Sequence, residues 1–155
     1  MEDRIIKPAD LRASDLTALL TSHLDKMLSL SPEESVHALD ISKFDKPNVS
    51  LFCLYIDDVL AGCGALSQID DRHVEIKSMK TSDNFLRKGV AREILAFLIA
   101  EAKERGYTKI SLETGTVEAF IPAHRLYENA GFVPCSAFAD YQEDPNSRFY
   151  SMALI

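Results

Sequence analysis

Arg87, Lys88 and Gly89 stand immediately before a strongly amphipathic helix in the stretch VEIKSMKTSDNFLRKGVAREILAFLIAEA, residues 74–102. A strand-like segment, a short polar turn and then a helix make a place to hold a phosphorylated ligand. A helix start presents unpaired N–H groups and a partial positive charge. Glycine at position 89 lets the backbone approach an anion closely, and Ala91 is small. Arg87, Lys88 and Arg92 bring positive charge to this one place in an otherwise acidic chain. The competing reading is solvated surface charge, which a basic pair taken alone would favour, because the helix dipole slightly opposes cations there. The glycine and the strands on either side tip the balance toward a ligand.

Other chemistries are thinner. Cys53, Cys63 and Cys135 form no CxxC pair and sit in apolar stretches, so they read as small buried hydrophobes. His23, His37, His73 and His124 lack metal-ligand spacing, so no metal is expected. There is no GxxxxGK[ST] loop and no GxGxxG fingerprint. The net charge of −7 argues against nucleic acid as a partner, since a phosphate backbone needs a basic face. No apolar run is long enough for a membrane span, and MEDRIIKPAD lacks an apolar signal region. A cytoplasmic protein is the expectation. With 155 residues, 46% apolar and 26% charged, the chain is expected to form one domain, residues 1–155.

The elements that must position these residues follow from periodicity. Arg4 to Lys7 reads as a strand closed by Pro8. Asp10 to Leu30 has Leu16, Leu19, Leu20, Leu24, Met27 and Leu28 on one broad helical face. Ser31-Pro32-Glu33-Glu34 starts a second helix that ends near Asp40. Val49–Ile56, Val59–Ile69 and His73–Thr81 form a meander, turning at Asp57-Asp58 and at Asp70-Asp71-Arg72. Strict alternation in the third strand places Val74 and Ile76 on one face, and Glu75, Lys77 and Met79 on the other. In the long helix Val90, Ile94, Leu95, Phe97, Leu98 and Ala102 share a stripe that stops at Gly106. Lys109–Glu113 is a strand that can run parallel to 73–81, because a helix intervenes. A helix over Glu118–Asn129 and strands at Phe132–Cys135 and Phe149–Leu154 complete an α/β (α+β) mixed sheet flanked by helices, in the order βααβββαβαββ.

Two motifs within this order resemble the GCN5-related N-acetyltransferase (GNAT) family. Its central motif, [Q/R]-x-x-G-x-[G/A], reads Leu86-Arg87-Lys88-Gly89-Val90-Ala91. Its later motif, A-x-x-L-Y-x-x-x-G-F, reads Ala123 to Phe132, with Leu126-Tyr127 and Gly131-Phe132 in place. Element order matches as well, so the resemblance spans nearly the whole chain. Leu86 stands where the family usually has Arg or Gln, and Arg87 is the neighbouring substitute. Phe120 stands where many members have an Asn that touches pantetheine.

The resemblance implies acetyl-CoA as cosubstrate, an amine acceptor and, since members are often dimers, a homodimer. The coenzyme's pyrophosphate would sit on the amides of Arg87, Lys88, Gly89, Val90 and Ala91, with Arg92 near. Its pantetheine would lie like an added strand against Met79, Lys80 and Thr81. An alkylamine has a pKa of about 10, so it must lose a proton before attack. Glu75 is the candidate base, as it matches the position of a catalytic glutamate in several members; the alternative is an ion pair with Lys77 or Arg72 on an exposed sheet face. Tyr127 is the candidate acid for the departing thiolate. Glu113, His124, Asp140, Tyr141, Glu143, Asp144, Glu34 and His37 read as ordinary polar residues, with His124 on the surface. The function implied is N-acetylation of a small molecule, amino acid or peptide amine. The alternative is a module of this fold that holds acyl-CoA without turnover, in a regulatory role.

Overall fold

A computed structural model describes residues 2–20, 44–115, 121–139 and 141–154. The helix expected over 31–40, with Glu34 and His37, lies outside the described residues, as do Phe120 and Asp140. Among the described residues, seven strands form one sheet. They are β1 (Arg4–Pro8), β2 (Val49–Ile56), β3 (Val59–Gln68), β4 (His73–Thr81), β5 (Lys109–Gly115), β6 (Val133–Cys135) and β7 (Ser147–Ala153). Their spatial order is β1-β2-β3-β4-β5-β7-β6. Every pairing is antiparallel except β4 with β5. That parallel pair is joined through a long helix, α2 (Val90–Glu104). α3 (Ile121–Ala130) links β5 to β6, and residues 14–20 are helical and are termed α1.

Alternating side chains give the sheet two apolar faces. On one, Phe52, Leu54, Leu66, Val74, Ile76, Ile110 and Leu112 meet Val90, Ile94, Leu95, Leu98 and Ala102 of α2. On the other, Leu51, Cys53, Cys63 and Ala65 meet Leu16, Leu19 and Leu20 of α1. The meander is tight because Asp57 and Asp58 both take the left-handed conformation, with φ of 50° and 68°. Its glycines are there for contact. A Cβ on Gly62 would lie 2.8 Å from the Lys80 carbonyl oxygen and 2.8 Å from Val90 Cγ1. One on Gly64 would lie 2.8 Å from Ile94 Cγ2. The bare backbone of β3 is what lets α2 settle on the sheet.

Two irregularities in β4 shape everything near it. Cys63 pairs with Lys80 and Ala65 with Lys77, so Ser78 and Met79 together oppose the single residue Gly64. This is a β-bulge, and Ser78 has φ of 57°. The bulge reverses the alternation beyond it. Met79 therefore does not share the face of Glu75 and Lys77, as strict alternation predicts; it packs with Ile94 and Leu98 on the α2 side. Separately, β4 pairs with β5 over four residues only, from His73↔Lys109 to Ile76↔Leu112. Past Ile76, β5 continues with β7 as far as Gly115↔Ser147 while β4 runs on to Thr81, so the two strands part.

Gly62→Val should lower the unfolding free energy by about 1–3 kcal/mol, the usual range for overpacking, because one of the atoms in its way is a backbone oxygen that has little freedom to retreat. Urea unfolding of the variant beside the parent chain measures this.

Candidate active site

The parting of β4 from β5 opens a cavity of about 220 Å³ lined by Met79, Lys80, Thr81, Ala91, Ile94, Ala123, Leu126 and Tyr127, with Pro122 at its margin. Three elements meet there: the end of β4, the first turn of α2 and α3. They are the elements on which the two sequence motifs lie. Met79, Lys80, Thr81, Ala91 and Tyr127 are brought together. Arg87, Lys88, Gly89, Val90 and Arg92 belong to the turn and first helical residues beside them, and Val90 points into the core.

The turn entering α2 is built to leave its amides accessible. Asp83–Phe85 makes one 3-10 turn, then residues 86–89 form a turn in which Arg87 has φ of 63° and Gly89 φ of 79°. Gly89 is the N-cap and supplies no side-chain cap to the helix. The first intrahelical bond runs from the Glu93 amide to the Gly89 carbonyl, at 3.0 Å. The amides of Val90, Ala91 and Arg92 precede it, the donors that a helix start cannot satisfy internally. A Cβ at Gly89 would meet nothing within 4 Å, so the space above the turn is open. The turn is braced from a distance. Arg4 of β1 donates from Nη2 to the Lys88 carbonyl at 3.0 Å and from Nη1 to Glu93 Oε1 at 3.0 Å.

Tyr127 is buried against Phe132 and Tyr150, with ring centroids 6.0 Å and 6.1 Å away. Burial, with the charge of Glu113 adding to it, pushes its phenol up to about 12. It therefore keeps its proton through the neutral range. His124, one helical turn earlier on α3, is not on the surface as expected: it is buried, with Nε2 2.7 Å from the Gly115 carbonyl oxygen, so it joins α3 to the end of β5. Neither motif reveals this, because a histidine preceding an arginine in a polar helix pattern gives no sign of which ring nitrogen finds a carbonyl.

Glu75 occupies the opposite face of β4, and it is only 4% exposed. The Tyr141 phenol donates to its Oε2 at 2.5 Å, and Lys77 Nζ lies 3.8 Å from the same oxygen. The Lys77 ion pair considered from sequence is thus present, but in a covered setting and not on an exposed face. Tyr141 comes from the segment between β6 and β7, which folds over this half of the sheet. Phe138 packs edge to face on Tyr141 and Phe149, which are tilted against each other, with centroids 5.2–5.7 Å apart. Burial, then the charge of Glu75, drives the Tyr141 phenol well above its ordinary value. Glu113 shares this face two residues beyond Ser111, the register partner of Glu75, and accepts from Ser147 Oγ at 2.7 Å. Beyond it runs a polar chain: His73 Nε2 is 2.6 Å from Ser111 Oγ, which is 2.7 Å from Ser151 Oγ. Burial, and then Lys109, hold the His73 imidazole below its usual value.

Tyr141, read from the sequence as an ordinary polar residue, is the partner of Glu75 that the sequence did not reveal. Its signal was weak, one tyrosine in an acidic loop that spacing does not connect to Glu75, 66 residues away. Tyr141→Phe takes a donor from a buried carboxylate. It should cost roughly 1–3 kcal/mol of stability, the penalty of an unmet buried polar group, as read by denaturant unfolding.

The family model described as acetyltransferase (GNAT) family matches residues 16–132. The chain is 49% identical over 149 residues to the uncharacterized N-acetyltransferase YsnE of Bacillus subtilis (strain 168), covering 96% of this chain and 99% of that one. It is 46% identical over 149 residues to the uncharacterized N-acetyltransferase YedL of Escherichia coli (strain K12), covering 96% and 94%. Among solved structures, a GNAT family acetyltransferase from Elizabethkingia anophelis with acetyl-CoA bound superposes with a TM-score of 0.69 at 18% identity, over 97% of this chain and 98% of that one, which shows a shared fold. With its two motifs, its parted strands and relatives matched along nearly their full length, the chain belongs to the GNAT family of acetyltransferases.

Proposed function

We propose that this protein transfers the acetyl group of acetyl-CoA to the primary amine of a small molecule, amino acid or peptide by direct attack on the thioester. The observation that carries the reading is the cavity shared by the end of β4, the start of α2 and Tyr127. The fit to the coenzyme rests on the chain's own groups. The turn Arg87–Gly89 and the amides of Val90, Ala91 and Arg92 would hold the diphosphate, with the helix dipole and three cationic side chains in support. The end of β4, Met79 to Thr81, would take the extended arm as an added strand where β5 has turned away. When bound, the coenzyme supplies an acetyl group activated as a thioester.

The chain's residues then manage protons. An ammonium must shed one proton before it can attack and a second as the amide forms. Glu75, on the other face of β4, takes the first and passes it to solvent. The Tyr127 phenol gives its proton to the departing sulfur, and the second amine proton restores the balance. Tyr127 suits that part because burial keeps it protonated. The same burial, which pushes the phenol up to about 12, sets it well above a thiol at about 8.5, so the transfer is uphill and depends on the amine proton released in the same step. A backbone amide near Met79 would polarise the thioester carbonyl.

Mixing the protein with acetyl-CoA and a panel of amines, and following free thiol, tests the reaction. Thiol release that depends on the amine is expected. Coenzyme binding in calorimetry without thiol release across the panel would leave only a holding module. Gly89→Asp puts a negative charge and a strained φ where the diphosphate belongs, and should weaken coenzyme binding by at least about tenfold, or 1.4 kcal/mol. Tyr127→Phe and Glu75→Gln should each lower kcat by roughly 10²-fold, the lower end for a general acid or base, while coenzyme affinity stays within a few-fold. Coenzyme affinity unaltered in Gly89→Asp would refute the diphosphate site.

A further inference from the structure

The face of the sheet that carries Glu75 holds a cation as well as carboxylates, and that pairing bears on which amines are accepted. Glu75 and Glu113 supply two negative charges. Lys77, two residues along β4 from Glu75, has its side chain 18% exposed and its Nζ 3.8 Å from Glu75 Oε2. At that distance the ammonium attracts the carboxylate without donating a hydrogen bond to it. Its other neighbour is the face of the Tyr141 ring, with Nζ 5.3 Å from the centroid. A lysine ammonium has three donors, and among the described residues no hydrogen bond from Nζ is formed. Lys77 therefore stands next to the candidate base, attracted to it but with its donors uncommitted among the described residues.

A simple alkylamine entering this place would bring a second ammonium beside that of Lys77, and like charges at close range are a device for rejecting a ligand. An acceptor with its own carboxylate converts the repulsion into an ion pair. In an α-amino acid the amino nitrogen and the carboxyl carbon are separated by only two bonds. That matches two opposite protein charges as near as Glu75 and Lys77. A peptide N-terminus has a neutral amide in the same place and offers Lys77 no second carboxylate. From this juxtaposition we infer that the acceptor is a free α-amino acid, whose carboxylate pairs with Lys77 while its amino group faces Glu75. This deepens the acetyl-transfer reading of the same site and rests on it. The bond changes are those already given: N–C forms, C–S breaks, and the carboxylate is a spectator.

The test pairs a panel of L-α-amino acids with the corresponding decarboxylated amines and compares kcat/KM by thiol release. The parent protein should prefer an amino acid to its decarboxylated partner by at least tenfold. Lys77→Met should reduce that ratio at least tenfold, and Lys77→Arg should restore most of it. Retained coenzyme binding in calorimetry shows that the variants are folded. A parent enzyme that turns over the amines as well as the amino acids, or a ratio indifferent to Lys77→Met, overturns the inference while leaving acetyl transfer standing. If neither class is turned over, the reaction itself fails. The inference is then read from calorimetric binding of each pair to the protein with CoA present, where equal affinity for amino acid and amine overturns it and a preference lost in Lys77→Met upholds it.

Discussion

The separation of β4 from β5 after Ile76 is the constraint from which the rest of the site follows. A parallel pair that continued to Thr81 would bury the very backbone that a strand-like ligand needs. Two features enforce the parting. β5 keeps its pairing with β7 for its full length, so it cannot follow β4. The bulge at Ser78 turns β4 instead, with Cys63 Sγ 3.4 Å from the Ser78 carbonyl oxygen and the glycines of β3 giving it room. The opening is thus made by well-packed strands and not by a loop, which is how a site is held to the tolerance that chemistry requires.

The same bulge divides the labour between the two faces. Before it, Glu75 and Lys77 point to the side covered by the β6–β7 segment; after it, Met79 points to α2. In the proposed mechanism a ligand lying in the gap would have the Glu75 carboxylate on one side and Tyr127 on the other. In that mechanism each tyrosine of the pair would have a separate task. Tyr127 holds a proton in a buried aromatic nest, and Tyr141 steadies Glu75. A base and an acid on opposite sides of the reacting bond can have different environments, so their proton affinities can be set independently.

Much of this was legible in the residues. The strands Val49–Ile56 and His73–Thr81 have the bounds their periodicity predicts, since β-branched and aromatic runs between acidic turns leave little choice. The helix stripe from Val90 to Ala102 is buried as its spacing requires. Tyr127 and Ala91, one from each motif, line one cavity, and the turn at Arg87–Gly89 leads into the helix that carries Ala91. What stayed hidden is non-local. Strict alternation put Met79 with Glu75 because a bulge formed by ordinary residues such as Ser78 carries no local mark. Tyr141 and His124 are defined by partners distant in sequence or on another strand, and neither periodicity nor spacing encodes those. The final strands were drawn two residues late at Phe149 for a related reason: Ser147 is polar, yet its hydroxyl is satisfied by Glu113.

Arg4 ties the turn at Lys88 and Glu93 to an edge strand more than eighty residues earlier. Coupling between two places is mutual in free energy. Whatever rigidifies that turn must also tighten the sheet margin that braces it, so slower amide exchange along β1 would be a remote signature of an occupied anion cradle. Conversely, fraying of this outermost strand would loosen the grip of a loop that it holds through the Arg4 guanidinium.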